Sequence, residues 1–337
     1  MTSSHTGILL VNLGTPESPA KKPVRAYLSE FLADRRVVDL PAPWRQLLVK
    51  GFILPFRPKV SSHAYQQIWT QAGSPLLIHS QQLAKGLAVS LGENYRVALA
   101  MRYGQPNIVS GLRDLRMCRK IIVSPLFPQY SSAATGSVLE KVFGELQTMN
   151  DIPNVSTLHS FHDHPAFINA WKTVITEHCP QKPQMWVFSF HGLPVRHLVK
   201  RGCPAACWSQ TQCSAEAAHA IHCYRRQCYA TAALLANSLG LCSDQYRVAF
   251  QSRLGRIPWI TPYTDHLLAD LAGQGIKNLA IACPSFVADC LETLEEIGIR
   301  ARTQWRQLGG GEFTLIPSLN AHPVWVNGLS EILRQLS

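Results

Sequence analysis

The sequence predicts an α/β protein built from two similar lobes, each a parallel sheet flanked by helices. Three observations support this fold class. The chain has 337 residues, more than a single hydrophobic core usually organises. Short apolar runs alternate with amphipathic segments, which is the pattern of βαβ units. Short sequence patterns of the first half also recur, in the same order, in the second half.

The apolar runs predict buried strands, because most of them are followed by turns that contain Gly, Pro or Ser. The predicted strands are Gly7–Asn12, Arg96–Met101 and Lys120–Ser124 in the first half, and Trp186–Phe190, Arg247–Phe250 and Leu279–Ala282 in the second. Two segments with apolar residues three and four apart, Asp265–Ala272 and Leu291–Ile297, predict helices.

The recurring patterns suggest a diverged duplication. The matching pairs are Arg96–Ala98 with Arg247–Ala249, Arg102–Gly104 with Arg253–Gly255, and Ile122–Pro125 with Ala280–Pro284. Ligands of open α/β sheets bind at the carboxyl ends of the strands, so we expect an active-site cleft between the lobes.

The predicted domains follow from this arrangement. The first lobe is expected over residues 1–160 and includes a basic and apolar lip segment at 34–59. The second is expected over residues 161–318, with a cysteine-rich insertion at 203–223. Residues 319–337 are expected to form a C-terminal helix that packs back on the first lobe.

The chain is basic, with 32 Lys and Arg against 21 Asp and Glu and a formal charge of +11. Nucleic acid, an anionic membrane surface, a carboxylate-bearing substrate and a basic solvated surface are all compatible with this charge. The basic residues are spread along the chain without a helix-turn-helix or finger pattern, so no nucleic-acid partner is predicted. The apolar runs are too short to span a bilayer and the N-terminus resembles no export signal, so a cytoplasmic protein is expected.

The lip segment mixes basic residues with Trp44, Phe52 and Phe56. Three interpretations remain open: contact with a membrane surface, an apolar lip over a flat ligand, or an ordinary amphipathic packing helix.

One histidine stands at a position suited to chemistry. His191 directly follows the predicted strand Trp186–Phe190, and Gly192 and Pro194 then turn the chain. A histidine at a strand end can accept a proton or bind a metal, although a histidine in apolar surroundings is more commonly a core residue.

Three carboxylates form the second candidate group. Glu292 and Glu296 are four residues apart on the predicted helix, and Asp289 precedes Glu292 by three. They are either complements to the helix dipole or a path for protons or a divalent cation. Oxygen ligands together with one imidazole suit Fe²⁺.

Several motifs, in order over nearly the whole chain, resemble those of ferrochelatases, the enzymes that insert ferrous iron into a porphyrin. His191–Pro194 is similar to the family signature, and Asp289–Glu296 is similar to its Asp-x-x-Glu-Thr-Leu-x-Glu motif. The other matching stretches are Asn12–Pro16, Gly73–Leu76, Met101–Gly104, Pro128–Ser137, Phe250–Trp259 and Asn320–Pro323.

The resemblance implies two Rossmann-like lobes of the chelatase type and a lyase. Its reaction would insert Fe²⁺ into protoporphyrin IX to give protohaem, with release of two protons, as the terminal step of haem biosynthesis. His191 and Glu292 would be the catalytic residues and metal contacts, with Asp289 and Glu296 as a proton or metal path. By the same resemblance, Leu13, Tyr103 and Trp259 would line the ring faces, and Arg102 and Ser252 would lie near the ring edge or propionates.

One position departs from the family pattern. Cys290 lies where many relatives have a histidine. Its thiol is expected either to contact the metal weakly or to pack, and it is not counted as catalytic.

Half of the ten cysteines crowd into one segment: Cys203, Cys207, Cys213, Cys223 and Cys228. Without an export signal, disulfides are not expected. No C-x2-C pair occurs, which weakens a zinc-ribbon interpretation, whereas four thiolates can hold a [2Fe–2S] cluster. Some ferrochelatases carry such a cluster in an internal insertion, so the resemblance implies one here. The expected ligands are the first four cysteines, with Cys228 as an alternative fourth; zinc and unligated thiols remain open.

Two other functions compete with this interpretation. One is a related chelatase acting on another tetrapyrrole or metal, such as coproporphyrin or cobalt with an early corrin precursor. The other is a non-catalytic sensor of haem or of a cluster, which predicts loss of His191 or Glu292, and both are present. Further partner hypotheses are peripheral contact with an anionic inner membrane and transient contact with the preceding enzyme of haem synthesis.

Overall fold

Two four-stranded parallel sheets form the framework of the protein. The computed structural model describes residues 5–200, 202–203, 222–255 and 257–337. These residues divide into two units. Unit 1 comprises Met1–Phe127, Ser131–His159 and Asn320–Ser337, and unit 2 comprises Pro128–Tyr130 and Ser160–Leu319. Cys207 and Cys213 lie outside the described residues.

The sheet of unit 1 contains β1 (Thr6–Gly14), β2 (Tyr95–Tyr103), β3 (Lys120–Pro125) and β4 (Asn154–Thr157). Their spatial order is β2-β1-β3-β4, and all pairs are parallel. The three strands predicted in this half are confirmed. The central strand β1 buries Ile8, Leu9, Leu10 and Val11 completely. A strand covered on both faces needs a continuous apolar run, which is what the sequence provides.

Unit 1 also contains helices, some of which pack on this sheet. They are α1 (Lys21–Ala33), α2 (Ala42–Gln46), α3 (Arg57–Ile68), α4 (Pro75–Leu91), α5 (Ile108–Asp114) and α6 (Ser137–Leu146), with π-helical segments at Leu47–Ile53 and Ser132–Gly136. Leu9 and Val123 of the sheet pack in one core with Leu112 of α5 and Val142 of α6. The sheet is therefore held mainly by side chains from neighbouring βα connections.

The C-terminal helix, Pro323–Arg334, belongs to unit 1 and packs against α4. A Cβ atom added to Gly86 would lie only 3.1 Å from a methyl group of Val326, so the two helices approach closely. The Ser330 hydroxyl donates to the Ser90 hydroxyl at 2.9 Å, and the Arg334 guanidinium donates to the Ser90 carbonyl at 2.6 Å.

The lip segment has both buried and exposed apolar side chains. Val49 and Leu54 are buried in a small cluster with Leu32. Trp44 and Phe56 are instead 65% and 75% exposed. A plain amphipathic packing helix would turn polar side chains outward, so the lip differs from that interpretation. Within the described ranges, every helix falls short of the combined length and apolarity needed to cross a membrane.

Unit 2 repeats the topology of unit 1. Its strands are β5 (Met185–His191), β6 (Tyr246–Gln251), β7 (Leu279–Ala282) and β8 (Phe313–Leu315), in the spatial order β6-β5-β7-β8. Its helices are α7 (Pro165–His178), α8 (Val195–Val199), α9 (Tyr224–Ser238), α10 (Thr264–Gly273) and α11 (Arg302–Gln307), with a π-helix at Glu292–Ala301. The three strands and the Asp265–Ala272 helix predicted here are confirmed.

The prediction of a helix at Leu291–Ile297 needs a correction. The segment Glu292–Ala301 is π-helical, with backbone hydrogen bonds from residue i to i+5. Asp289 lies before the helix rather than within it. The three carboxylates therefore do not form one α-helical stripe, and their arrangement depends on the local contacts.

Candidate active site

The chemistry-bearing residues of unit 2 gather where its strands end. β5 ends at His191, β6 ends at Gln251, and β7 leads through Cys283 to the π-helix that begins at Glu292. In a parallel sheet the carboxyl ends of neighbouring strands lie at the same edge. Residues distant in sequence are thereby brought together.

The His191 imidazole has a defined tautomer. Its Nδ1 lies 2.6 Å from the carbonyl oxygen of Gly192. A carbonyl oxygen can only accept, so Nδ1 carries a proton, and in the neutral form of the ring Nε2 presents the lone pair. The strand end itself is anchored, since the Tyr224 hydroxyl donates to the His191 carbonyl at 2.7 Å. The half-buried ring can therefore accept a proton or coordinate a metal through Nε2.

Gly192 permits a close approach of two strand ends. Its N–H donates to the Gln251 carbonyl at 2.7 Å, and a Cβ at this position would lie 2.8 Å from that oxygen. Any side chain here would force β5 and β6 apart. The glycine thus fixes the position of the neighbouring His191.

Trp259 lies beside this turn. The Val195 N–H donates to the Pro258 carbonyl, and the Ile260 N–H donates to the Leu193 carbonyl, each at 3.0 Å. The indole N–H donates to the Leu254 carbonyl at 3.0 Å, and the side chain is largely covered. Backbone pairing and the indole bond together fix the indole ring.

Glu296 is a largely buried carboxylate with a matched donor pair. The Ser252 N–H donates to its Oε1 at 2.8 Å, and the Ser252 hydroxyl donates to its Oε2 at 2.5 Å. Burial raises the pKa of Glu296, the bonds from Ser252 and the charge of Arg300 oppose that rise, and the neighbouring Glu292 carboxylate adds to it. The net pKa lies above the usual value, which suits a group that exchanges protons.

Asp289 is buried at the entrance to the same helix. Its Oδ1 accepts from the Thr293 hydroxyl at 2.9 Å and from the Ser318 N–H at 3.2 Å. It therefore ties the beginning of the π-helix to the segment that follows β8. The pKa of the nearby Cys283 thiol is raised, mainly because the thiol is buried. The negative charges of Asp289 and Glu296 raise it further.

Cys290 packs beside Glu292. Burial raises the pKa of its thiol, and the charge of Glu292 and a hydrogen bond to that carboxylate raise it further. The thiol therefore stays protonated and acts as a neighbour of the carboxylate.

Gln251, which was not predicted as a site residue, joins the segment that follows β5 to the start of the π-helix. Its side-chain amide donates to the Glu292 carbonyl at 2.8 Å and accepts from the Ser189 hydroxyl at 2.6 Å. Its own carbonyl receives the Gly192 N–H. In the sequence, the one indication that Gln251 belongs to the site is its position in the Phe250–Trp259 motif.

In unit 1 the predicted contact Leu13 is half-exposed just before the end of β1. Its N–H donates to the Asn12 side chain at 2.8 Å, and the Asn12 amide donates to the Ser80 hydroxyl at 3.1 Å. Gly14 follows with φ of +117°, and a Cβ there would lie 1.8 Å from the Tyr103 carbonyl oxygen. Glycine is therefore required for β1 and β2 to approach.

Arg102 and Tyr103 meet at a buried carboxylate, Asp34. Its Oδ2 accepts from the Arg102 guanidinium at 2.7 Å, the Tyr103 hydroxyl at 2.8 Å and the Ser137 hydroxyl at 2.5 Å. Burial favours the neutral form, but these donors, the Arg36 N–H and the Arg102 charge hold the pKa of Asp34 below its usual value. The Tyr103 ring is fully buried, so its contact with a porphyrin face stays a prediction. Asp34 and Ser137 were not predicted as site residues.

The described residues contain no group of three His, Cys, Asp or Glu side chains arranged to hold a metal ion. The expected metal contacts His191 and Glu292 are both among these described residues, so their contact with a metal stays a prediction. Three of the clustered cysteines, Cys203, Cys223 and Cys228, are described, and no disulfide joins them.

Comparisons with known proteins agree on one family. A family model described as "Ferrochelatase" matches residues 5–336. The chain is 49% identical over 329 residues to "Ferrochelatase" of Legionella pneumophila (strain Paris), covering 98% of each chain. It is 48% identical over 337 residues to "Ferrochelatase" of Coxiella burnetii (strain Dugway 5J108-111), covering 99% of this chain and 94% of the relative.

Two solved structures share the fold at low identity. SirB from Bacillus subtilis with Fe³⁺ has a TM-score of 0.52 at 12% identity, covering 98% of this chain and 95% of that chain. CbiX, described as the terminal enzyme for biosynthesis of sirohaem in denitrifying bacteria, has a TM-score of 0.51 at 12% identity, with coverage of 98% and 99%. At this identity the likeness concerns the fold alone, and it agrees with the predicted two-lobed α/β class.

Proposed function

The chain belongs to the ferrochelatase family, lyases that insert Fe²⁺ into a porphyrin for haem synthesis, and we propose that His191 accepts the pyrrole protons in this reaction. The observation that carries the proposal is the bond from His191 Nδ1 to the Gly192 carbonyl, which leaves Nε2 as an acceptor. Two N–H protons must leave a porphyrin as the metal enters. An imidazole at a fixed strand end is suited to take them in turn.

Glu292 is the proposed second catalytic group, and it serves with His191 as a contact for the entering Fe²⁺. Its main-chain position is held by Gln251, and its charge acts on Cys290 and on Glu296. Asp289 and Glu296 extend the acidic group as a path for protons or iron. Carboxylate oxygens bind Fe²⁺ weakly enough to release it, which a path requires.

The porphyrin is proposed to be protoporphyrin IX, bent on binding so that its nitrogen lone pairs are exposed, with the strain offset by contacts elsewhere on the ring. Leu13 and Trp259 are proposed ring contacts. Arg102 and Ser252 are proposed near the ring edge or propionates, and Tyr103 at a ring face. The hydrogen bonds of Arg102 and Tyr103 to Asp34 support a second role for both residues, which is to stabilise the end of β2.

The function is tested by an anaerobic assay with Fe²⁺ and either protoporphyrin IX or coproporphyrin. We expect haem formation from protoporphyrin IX, reduced by at least about 100-fold in His191→Ala while porphyrin binding persists. His178→Ala is the matched control, because its Nδ1 also lies near a main-chain carbonyl, that of Val174 at 2.9 Å. Turnover by His191→Ala near the native rate would exclude the proposed acid–base role.

A preference for coproporphyrin in the same assay would reassign the substrate but leave the chemistry intact. Binding of porphyrin or haem with no metal insertion by the folded native protein would favour the sensor function instead. The assay therefore separates the three functions that the sequence leaves in competition.

A [2Fe–2S] cluster is proposed as a resident cofactor of the cysteine-rich insertion, with Cys203, Cys207, Cys213 and Cys223 as ligands. Four thiolates are a suitable donor set for such a cluster. Among the described members, Cys203 is half-buried and Cys223 lies directly before α9. Cys228 is fully buried and hydrogen-bonds the Tyr224 hydroxyl, so it is the alternative fourth ligand rather than the first choice.

Peripheral contact with an anionic membrane is proposed for the lip segment, with the protein on the cytoplasmic side of the inner membrane. Trp44 and Phe56 are exposed, and so are Lys50 and Lys59 in the same segment. Apolar side chains beside lysines are typical of surfaces that rest on lipid headgroups. A transient contact with the preceding enzyme of haem synthesis stays a prediction.

A further inference from the structure

Ser252 has an unusual backbone conformation at the end of a strand. It follows Gln251, the last residue of β6, and has φ of +68°. A left-handed conformation is uncommon for residues other than glycine and is disfavoured by the Cβ atom. Such outliers persist where surrounding contacts enforce them, and they cluster at functional sites.

The contacts that enforce it lead to one carboxylate. In this conformation the Ser252 N–H reaches Glu296 Oε1 at 2.8 Å and the hydroxyl reaches Oε2 at 2.5 Å. The preceding residue holds the same helix, since the Gln251 amide donates to the Glu292 carbonyl at 2.8 Å. Two consecutive residues at the end of β6 thus fix the first turn of the π-helix.

Among the described residues, the two short hydrogen bonds to Glu296 both come from Ser252. Arg300 is more distant, with its Nη2 4.0 Å from Glu296 Oε2, and its Nε bonds Glu295 at 2.9 Å instead. Each carboxylate oxygen has two lone-pair sites, and Ser252 uses one on each. Ser252 therefore leaves one lone-pair site unused on each oxygen while it holds the carboxylate in place.

We propose that Ser252 is a positioning residue that holds Glu296 beside Glu292 for the passage of Fe²⁺. The inference rests on the proposed role of Glu292 and Glu296 as an acidic path. Ser252 acts through Glu296: its N–H and hydroxyl restrict the carboxylate to one orientation, and that orientation presents the unused lone pairs to iron. This role is separate from the ring-edge contact proposed above.

Ser252→Gly is the informative variant. Glycine adopts a left-handed backbone without strain and keeps the N–H donor, so only the hydroxyl is lost. We expect kcat/KM for Fe²⁺ to fall by at least about tenfold, as for loss of a hydrogen bond to a charged group, with KM for porphyrin within about twofold of native. The urea midpoint should not fall. An unchanged kcat/KM for iron, or equal losses for iron and porphyrin, would overturn the proposal.

A double-mutant cycle shows whether Ser252 acts through Glu296. Combined with Glu296→Gln, Ser252→Gly should cause little further loss, because the group it positions is already removed. Glu295→Gln is the control, since this neighbouring buried carboxylate bonds Arg300 and is not part of the proposed path. Its effects should add to those of Ser252→Gly. Additive losses in both cycles would show that Ser252 does not work through Glu296.

The variant Glu292→Gln distinguishes a failure of the proposed acidic path from a failure of the positioning role of Ser252. It should abolish metal insertion and spare porphyrin binding. If it does not, the acidic path itself is wrong. If Glu292→Gln behaves as expected and Ser252→Gly retains native iron kinetics, only the positioning role fails.

Discussion

Two glycines play the same part in the two units. Gly14 ends β1, and a Cβ there would collide with the carbonyl oxygen of Tyr103, the last residue of β2. Gly192 follows β5, and a Cβ there would approach the carbonyl oxygen of Gln251, the last residue of β6. In each unit, then, the first strand meets its neighbour through a glycine at its carboxyl end. This repetition at the level of single atoms supports the internal duplication.

Asp34→Asn is expected to destabilise the protein by about 3 kcal/mol at neutral pH, because it leaves the largely buried Arg102 guanidinium without its charge partner. The pKa of Asp34 is held below its usual value in the folded state. Its stabilising effect is therefore complete above the unfolded pKa and is lost as pH falls through the folded pKa. Urea unfolding of both proteins from neutral to acid pH measures the difference.

The control for this prediction is Glu140→Gln. Glu140 pairs with Arg35 and Arg36 but is partly exposed, so its loss should cost no more than about 1 kcal/mol. Equal stability of Asp34→Asn and the native protein at neutral pH, or a difference that grows in acid, would contradict the assigned role of Asp34.

Single residues could be predicted from sequence where their partners are local. His191 stands out because a strand precedes it and a tight turn follows, and its Nδ1 partner is the next residue. The partners of Asp34 are 68 and 103 positions away, at Arg102 and Ser137. No periodicity in the sequence links such positions, so this network emerges only from the fold.

At the scale of elements, prediction succeeded where burial imposes a continuous apolar run. All six predicted strands are present. β1, β3, β5 and β7 lie inside their sheets, and the edge strands β2 and β6 each bury four residues. The two missed strands, β4 and β8, form the opposite edges, are only four and three residues long, and carry partly exposed side chains. The π-helix was predicted as an α-helix because the apolar spacing of Leu291–Ile297 does not distinguish the two hydrogen-bond patterns.

The cysteine-rich insertion yields a spectroscopic prediction. Protein purified without air should show the visible absorption of a [2Fe–2S] centre and, after reduction, its electron paramagnetic resonance signal. Cys223→Ser should remove both signals, because three thiolates and a hydroxyl bind the cluster less well than four thiolates. Iron and sulfide analysis gives the cluster content independently.

Cys242→Ser is the control for the cluster, since this exposed cysteine lies outside the insertion. It should leave the spectrum unchanged. A colourless protein that contains zinc would show that the cysteines form a zinc site and not an iron–sulfur cluster. A protein without bound metal would show that the thiols are unligated. Loss of the signal in Cys228→Ser but not in Cys223→Ser would identify Cys228 as the fourth ligand.

On the scale of the whole molecule, the two sheets have one topology used twice. The order β2-β1-β3-β4 corresponds strand for strand to β6-β5-β7-β8. The sequence echoes fall on matching elements, because Arg96–Ala98 lies in β2 and Arg247–Ala249 lies in β6. The units differ in the segments added to this framework: unit 1 carries the lip, and unit 2 carries His191 and the acidic helix. The shared topology is that expected of a duplicated framework, and the proposed catalytic residues lie in one of its two copies.

The net charge of +11 and the exposed apolar side chains of the lip are both expected to promote binding to an anionic membrane. Vesicles with anionic lipid should retain the protein at about 0.01 M salt and release most of it near 1 M, where the Debye length falls to about 3 Å. Trp44→Ser combined with Phe56→Ser should weaken retention without unfolding, because both side chains already face solvent. Val89→Ser, at an 84% exposed position outside the lip, is the control. Sedimentation with vesicles measures all three, and no retention at low salt would exclude the membrane contact.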